Sequence, residues 1–98
     1  MNDRVKLLVL INPNNPTGNV ISEDELKKIL SITEKWPNCT ILSDEIYDRL
    51  NFNENHFSTA SISNRTPVIT LNGVSKVYYA PGWRIGYMAI HDPKAQLD

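Results

Sequence analysis

Hydrophobic positions along the chain come in more than one spacing. Leu7-Leu8-Val9-Leu10-Ile11 is an unbroken apolar run, and five such residues without alternation predict a strand buried on both faces. The run stops at Asn12-Pro13-Asn14-Asn15-Pro16-Thr17-Gly18. Prolines, asparagines and a glycine so close together can neither extend a strand nor start a helix, so this segment is a loop. Ser22 and Glu25 have the spacing of a capping box. Leu26, Ile29, Leu30 and Thr33 then fall on one helical face, with Lys27, Lys28 and Glu34 elsewhere, which predicts a helix from about Glu23 to Lys35. It ends before Pro37. Thr40-Ile41-Leu42-Ser43 predicts a second strand and Pro67-Val68-Ile69-Thr70-Leu71 a third. The 45–66 stretch between them is polar and irregular, with room for one short helix. Trp83 to Ile90 predicts a fourth strand, with Ile85, Tyr87 and Ala89 on one side.

Strand, helix and strand in alternation make this an α/β unit with right-handed crossovers. The first three strands are expected side by side in chain order and parallel. The 72–82 connection is too short for an ordinary helical crossover, so the fourth strand should run antiparallel to the third. Length and composition narrow the setting. The chain has 98 residues, 41% hydrophobic and 21% charged, with a formal net charge of -1. That balance is globular, and no basic field exists to hold nucleic acid or an anionic membrane. The single cysteine, Cys39, excludes an internal disulfide and a cysteine-rich zinc site. His56 and His91 form no metal-ligand pair with it. The longest apolar run is far too short to span a bilayer, and Met1-Asn2-Asp3-Arg4 is not the start of a signal peptide. A reducing, cytoplasmic setting is expected, in which the sequons at Asn38 and Asn64 are chance.

In open α/β sheets, ligands bind beyond the carboxyl ends of parallel strands. Past the first strand comes the Asn12–Gly18 loop. Past the second come Asp44, Glu45 and Tyr47, and past the third Asn72, Gly73, Ser75 and Lys76. An amide, a carboxylate, a phenol and an amine thus converge on one rim, although a chance cluster of polar loop residues gives the same pattern. Together they suit a pyridine aldehyde cofactor. A lysine amine can form a Schiff base with it. A carboxylate can keep the pyridine nitrogen protonated, a phenol and an amide can bond the ring oxygen, and an arginine fork can hold a phosphate.

Asn12-Pro13-Asn14-Asn15-Pro16-Thr17-Gly18, Ser43-Asp44-Glu45-Ile46-Tyr47, and Ser75-Lys76 followed by Pro81-Gly82-Trp83-Arg84-Ile85-Gly86-Tyr87 resemble the motifs of the class I/II aminotransferases. These are pyridoxal 5'-phosphate (PLP) enzymes of the aspartate aminotransferase fold. The resemblance implies that Asn15 and Tyr47 contact the cofactor's phenolate oxygen and that Asp44 pairs with its pyridine nitrogen. It further implies that Lys76 forms the Schiff base and acts as the catalytic residue, and that Arg84 binds the phosphate. Ser75 is a weaker phosphate candidate. Many relatives carry a serine three residues before the lysine, where this chain has Gly73, which removes one phosphate contact. Trp83 and Tyr87 read as packing residues, and no metal site is expected.

The resemblance covers only the middle of the family's large cofactor-binding domain, so residues 1–98 are expected to be part of that domain. The implied activity is amino-group transfer between an amino acid and a 2-oxo acid, in a parent protein that forms a homodimer. The piece alone is expected to be inactive. A PLP-dependent lyase or synthase of the same fold shares these motifs, and a non-catalytic truncated fragment is a third reading.

Overall fold

The computed structural model describes residues 1–52 and 55–97. The apolar run forms β1, Leu7–Ile11, and the second run forms β2, Thr40–Asp44. β3 is Val68–Gly73 and β4 is Gly86–His91. The four strands pair in the order β1-β2-β3-β4. β1, β2 and β3 are parallel, while β4 runs antiparallel to β3, as the short connection requires.

The capping box at Ser22 starts the helix α1, Glu23–Thr33. The Ser22 hydroxyl accepts from the Glu25 N–H, and the Glu25 carboxylate accepts from the Ser22 N–H at 2.9 Å. Two orphan donors of the first turn are satisfied in this way. The helix ends two residues earlier than its periodicity predicts. Lys35 and Trp36 donate to the carbonyls three residues back, Ile32 and Thr33, at 3.2 and 2.8 Å, the tighter pattern of a terminal 3₁₀ turn before Pro37.

α1 lays Leu26, Leu30 and Thr33 against one face of the sheet. Leu30, Ile41 and Val68 form the centre of the core, with Leu8, Leu10, Ile29, Ala60 and Ile62 packed around them. The register explains the grouping. Leu8, Ile41, Val68 and His91 are lateral partners across the four strands, so their side chains share a face. Among its described residues, the 45–66 stretch holds two short pieces rather than one, a 3₁₀ turn at Asp48–Leu50 and the single-turn helix α2, Thr59–Ile62.

Three expectations are corrected. β1 is covered on one face only. Leu8 and Leu10 are half-buried, but Val9 is 53% exposed on the far side, where Met88 and Ile90 of β4 are also exposed. A continuous apolar run reports strands that avoid water on both sides, and only α1 and α2 lie against this sheet among the described residues. The fourth strand begins at Gly86 and not at Trp83. Pro81–Trp83 form a 3₁₀ turn, and Arg84 has the left-handed φ of 52°, which breaks the extended backbone. Trp83 and Tyr87 are exposed, at 72% and 61%, and are not packing residues within the described chain.

Gly73 joins the sheet to the rim. A Cβ built there would lie 2.8 Å from the Ile85 carbonyl oxygen and 3.1 Å from Gly86 Cα. Both are backbone atoms that no side-chain rotation can move. Gly73→Ala is therefore expected to cost about 1–3 kcal/mol of stability, the range for overpacked sites, read from the urea midpoint at unchanged slope. A wild-type midpoint would show that β3 and β4 can separate without strain.

Candidate functional site

The carboxyl ends of β1, β2 and β3 lie side by side, because Ile11 pairs with Asp44 and Asp44 with Leu71. Three loops therefore leave the sheet at one rim. The first is pinned by Asn12. Its buried side chain accepts from the Ile21 N–H at 2.8 Å and donates to the Ile21 carbonyl at 3.4 Å, closing the base of the 12–21 loop. The Asn12 N–H in turn donates to the Asp44 carbonyl at 3.0 Å.

Asn15 sits at the tip of that loop and Tyr47 follows β2. The Asn15 amide donates to the Tyr47 hydroxyl at 2.9 Å. The Lys76 ammonium lies 5.8 Å from the centre of the Tyr47 ring, within reach of its negative face. Amide, phenol and amine, drawn from three different loops, thus meet around one ring. Asp44 ends β2 at the same rim. One of its carboxylate oxygens accepts from the Ile46 N–H at 3.1 Å; the other has no hydrogen bond among the described residues. A cleft of about 620 Å³ opens beside Asn15 and Tyr47, walled by Pro13, Val20, Leu50 and Phe52.

Arg84 stands apart from this group. It lies two residues before Gly86, the partner of Gly73 across the β3–β4 pair, so it is at the same end of the sheet. Its guanidinium donates to the Pro81 carbonyl at 2.7 Å, leaving its other donors facing outward. Gly73, at the position where the family resemblance places a serine, offers no side chain, and the Ile85 carbonyl lies close to where a Cβ would stand.

The layer beneath the rim has no signature in the sequence. Glu45 is only 3% exposed. Its carboxylate accepts from the Ser43 hydroxyl at 2.9 Å, and from the Ser58 hydroxyl and the Thr59 N–H, each at 3.1 Å. His56 Nε2 lies 3.1 Å from its other oxygen. Burial alone would push this carboxyl up, but the bonds from His56, Ser43 and Thr59 outweigh it and hold it below the ordinary glutamate range. A carboxyl whose folded value is depressed contributes stability above its unfolded value, near 4.5. That contribution is lost as pH falls through 4.5 toward the lower folded value. The urea midpoint of the native chain should therefore drop below pH 4.5 more steeply than that of Glu45→Gln. Parallel acid limbs for the two would show that Glu45 carries no such linkage. A Glu directly after the rim Asp, with a His eleven residues on, has no local pattern that announces burial.

Among the described residues, no group of three or more His, Cys, Asp or Glu side chains could hold a metal ion, and no helix is long and apolar enough to cross a membrane.

Comparison with known proteins places this geometry. Residues 1–97 match the family model for aminotransferase class I and II. The S-alkyl-thiohydroximate lyase SUR1 of Arabidopsis thaliana is 47% identical over 92 residues, covering 93% of this chain and 20% of that protein. The alanine aminotransferase of Pyrococcus furiosus superposes with a TM-score of 0.92 at 44% identity, over 97% of this chain and 24% of that one. A PLP-bound aminotransferase structure from Clostridium difficile 630 superposes at 0.82 with 36% identity, over 94% of this chain and 24% of that one. The chain thus spans about a fifth to a quarter of the length of these relatives. The family model matches almost every residue, and the chain belongs to the class I and II aminotransferase family.

Proposed function

We propose that these 98 residues are part of the PLP-binding large domain of an aminotransferase that moves an amino group between an amino acid and a 2-oxo acid. One observation carries the reading: Asn15, Tyr47 and Lys76 meet around one ring at the rim where Asp44 ends β2. The donor set suits the cofactor. Asp44 has one carboxylate oxygen without a hydrogen bond among the described residues, which it can offer to a ring nitrogen. Asn15 and Tyr47 offer neighbouring donors for the ring oxygen, Lys76 offers the amine, and Arg84 offers guanidinium donors for the phosphate. PLP, when bound, supplies an aldehyde that condenses with amines and a ring that draws electrons from the bond being broken.

Each residue then has a task of its own. Lys76 Nζ would hold the cofactor, and with an amino-acid substrate in the site the same nitrogen would serve as the base for the substrate's α-proton. Asp44 would hold a proton on the ring nitrogen through a fixed negative charge. Tyr47 and Asn15 would orient the ring by bonding its oxygen. The matched relatives, of which this chain covers about a fifth to a quarter, support a longer parent protein; that it forms a homodimer is what the family resemblance implies, and a reducing, cytoplasmic setting suits the lone buried cysteine, Cys39.

The likeness to SUR1 favours a second reading, a lyase that breaks a carbon–sulfur bond with the same site. The full-length protein decides between them. Incubated with a panel of amino donors and 2-oxo acids, it should convert one pair into the other. Release of thiol from an added S-alkyl-thiohydroximate, without any amino transfer, would make it a lyase instead.

A further inference from the structure

Glu45 has no part in the chemistry proposed above, yet its carboxylate accepts from Ser43, Ser58, Thr59 and His56. Its neighbours in the chain, Asp44 and Tyr47, belong to the rim. We propose that Glu45 is a positioning residue, whose buried carboxylate locks the turn carrying Asp44 and Tyr47 onto α2 and His56 and so fixes where those two side chains meet the cofactor. The inference rests on the reading of this rim as a PLP site.

The geometry supports a lock. Ser43 and Glu45 are two residues apart and bond each other on the α2 side of the sheet. Both also bond Thr59, the first residue of α2. The Glu45 N–H donates to the Leu71 carbonyl at 2.9 Å, and its carbonyl accepts from the Asp48 N–H at 3.0 Å. The turn is therefore held by backbone bonds at the rim and by the carboxylate below it. The proton directions are fixed. Ser43 has one hydroxyl proton, and it goes to Glu45 Oε1. Thr59 Oγ1, 3.1 Å from Ser43 Oγ, must then donate to Ser43. Oε1 receives three donors and Oε2 receives His56. The other ring nitrogen, Nδ1, is buried without a partner among the described residues, so the Nε2–H form of a neutral imidazole leaves no buried donor unpaired.

An amide at position 45 would keep its oxygen for the three donors and turn its NH₂ toward His56. The imidazole would then have to accept at Nε2 and leave Nδ1–H buried and unpaired. Glu45→Gln thus weakens one side of the lock, and Glu45→Ala removes all of it. Misplacing a reacting group by about 1 Å can cost roughly 10²-fold in rate, which sets the upper end of the expected effect.

The test uses the full-length holoenzyme. Glu45→Gln and Glu45→Ala are compared with Thr33→Val, which removes the buried Thr33–Thr66 hydroxyl pair (3.0 Å) at the opposite end of the sheet. In Glu45→Gln, kcat should fall about tenfold and in Glu45→Ala up to about a hundredfold, with KM changed by less than about threefold. The visible circular dichroism per bound cofactor, which reports how firmly the ring is oriented, should fall in the same order. Thr33→Val should lose thermal stability and keep both signals. Wild-type dichroism and kcat in the Glu45 variants would overturn the inference. So would a Thr33→Val protein of equal stability loss that shows the same changes. If Glu45→Ala cannot be recovered folded, Glu45→Gln carries the comparison. Borohydride reduction of the unsubstituted protein separates the two levels. Cofactor fixed on Lys76 with unchanged dichroism in the variants overturns only the positioning role. Cofactor fixed elsewhere overturns the reading of the site, and this inference with it.

Discussion

Lys76→Ala in the full-length protein is expected to abolish the borohydride-stable attachment of PLP and to lower turnover by at least roughly 10²–10⁴, the range for loss of a positioned proton-transfer group. The two losses go together because one nitrogen is assigned both tasks. Lys76 follows β3 by three residues, and its ammonium stands 5.8 Å from the centre of the Tyr47 ring. Among the described residues, no other amine lies over the Tyr47 ring. Lys6 precedes β1, Lys27, Lys28 and Lys35 belong to α1 or its end, and Lys94 follows β4. The measurement is reduction followed by peptide mass spectrometry, beside steady-state kinetics. A reduced adduct on Lys6, Lys27, Lys28, Lys35 or Lys94 would sink the assignment.

The elements that the sequence announces are those whose cause is local. β1 is an apolar run, α1 begins with a Ser22–Glu25 box, and the direction of β4 follows from a connection too short to cross over. The rim was legible for a different reason. Chain order and the parallel sheet put Asn15, Asp44, Tyr47 and Lys76 at the same strand ends before any contact is known. Features set by distant partners were not legible. Trp83 and Ile85 continue the alternation of β4, but the Pro81–Trp83 turn and the left-handed Arg84 break the strand before Gly86. The apolar character of β1 records a need for cover on both faces without saying where the second cover comes from. Asn12 and Glu45 look like ordinary polar rim residues. Their burial comes from Ile21, nine residues along, and from His56, Ser58 and Thr59, eleven to fourteen residues along, which no local period encodes.

Asp44→Ala should leave PLP attached to Lys76 and slow turnover by roughly 10²–10³, or about 3–4 kcal/mol, as for loss of one preorganised electrostatic partner. Among the described residues, one Asp44 carboxylate oxygen is left without a hydrogen bond, and it is the acceptor this expectation rests on. The Ile46 N–H takes the other oxygen, and the Asp44 carbonyl receives the Asn12 N–H. The side chain is therefore held at the end of β2 with one acceptor to offer. With PLP bound, a negative charge fixed there would hold a proton on the ring nitrogen, the condition under which the cofactor draws electrons. Alanine removes the charge and leaves the strand pairing that supports it, so attachment and chemistry should separate. Asn15→Ala and Tyr47→Phe should each cost less, because each is one of two neighbouring donors to the same oxygen. Asp44→Asn refines the test, since an amide keeps the size of the side chain and loses its charge. A rate near that of Asp44→Ala would assign the effect to charge, whereas an undiminished rate in either variant would show that the ring does not need the charge assigned to Asp44.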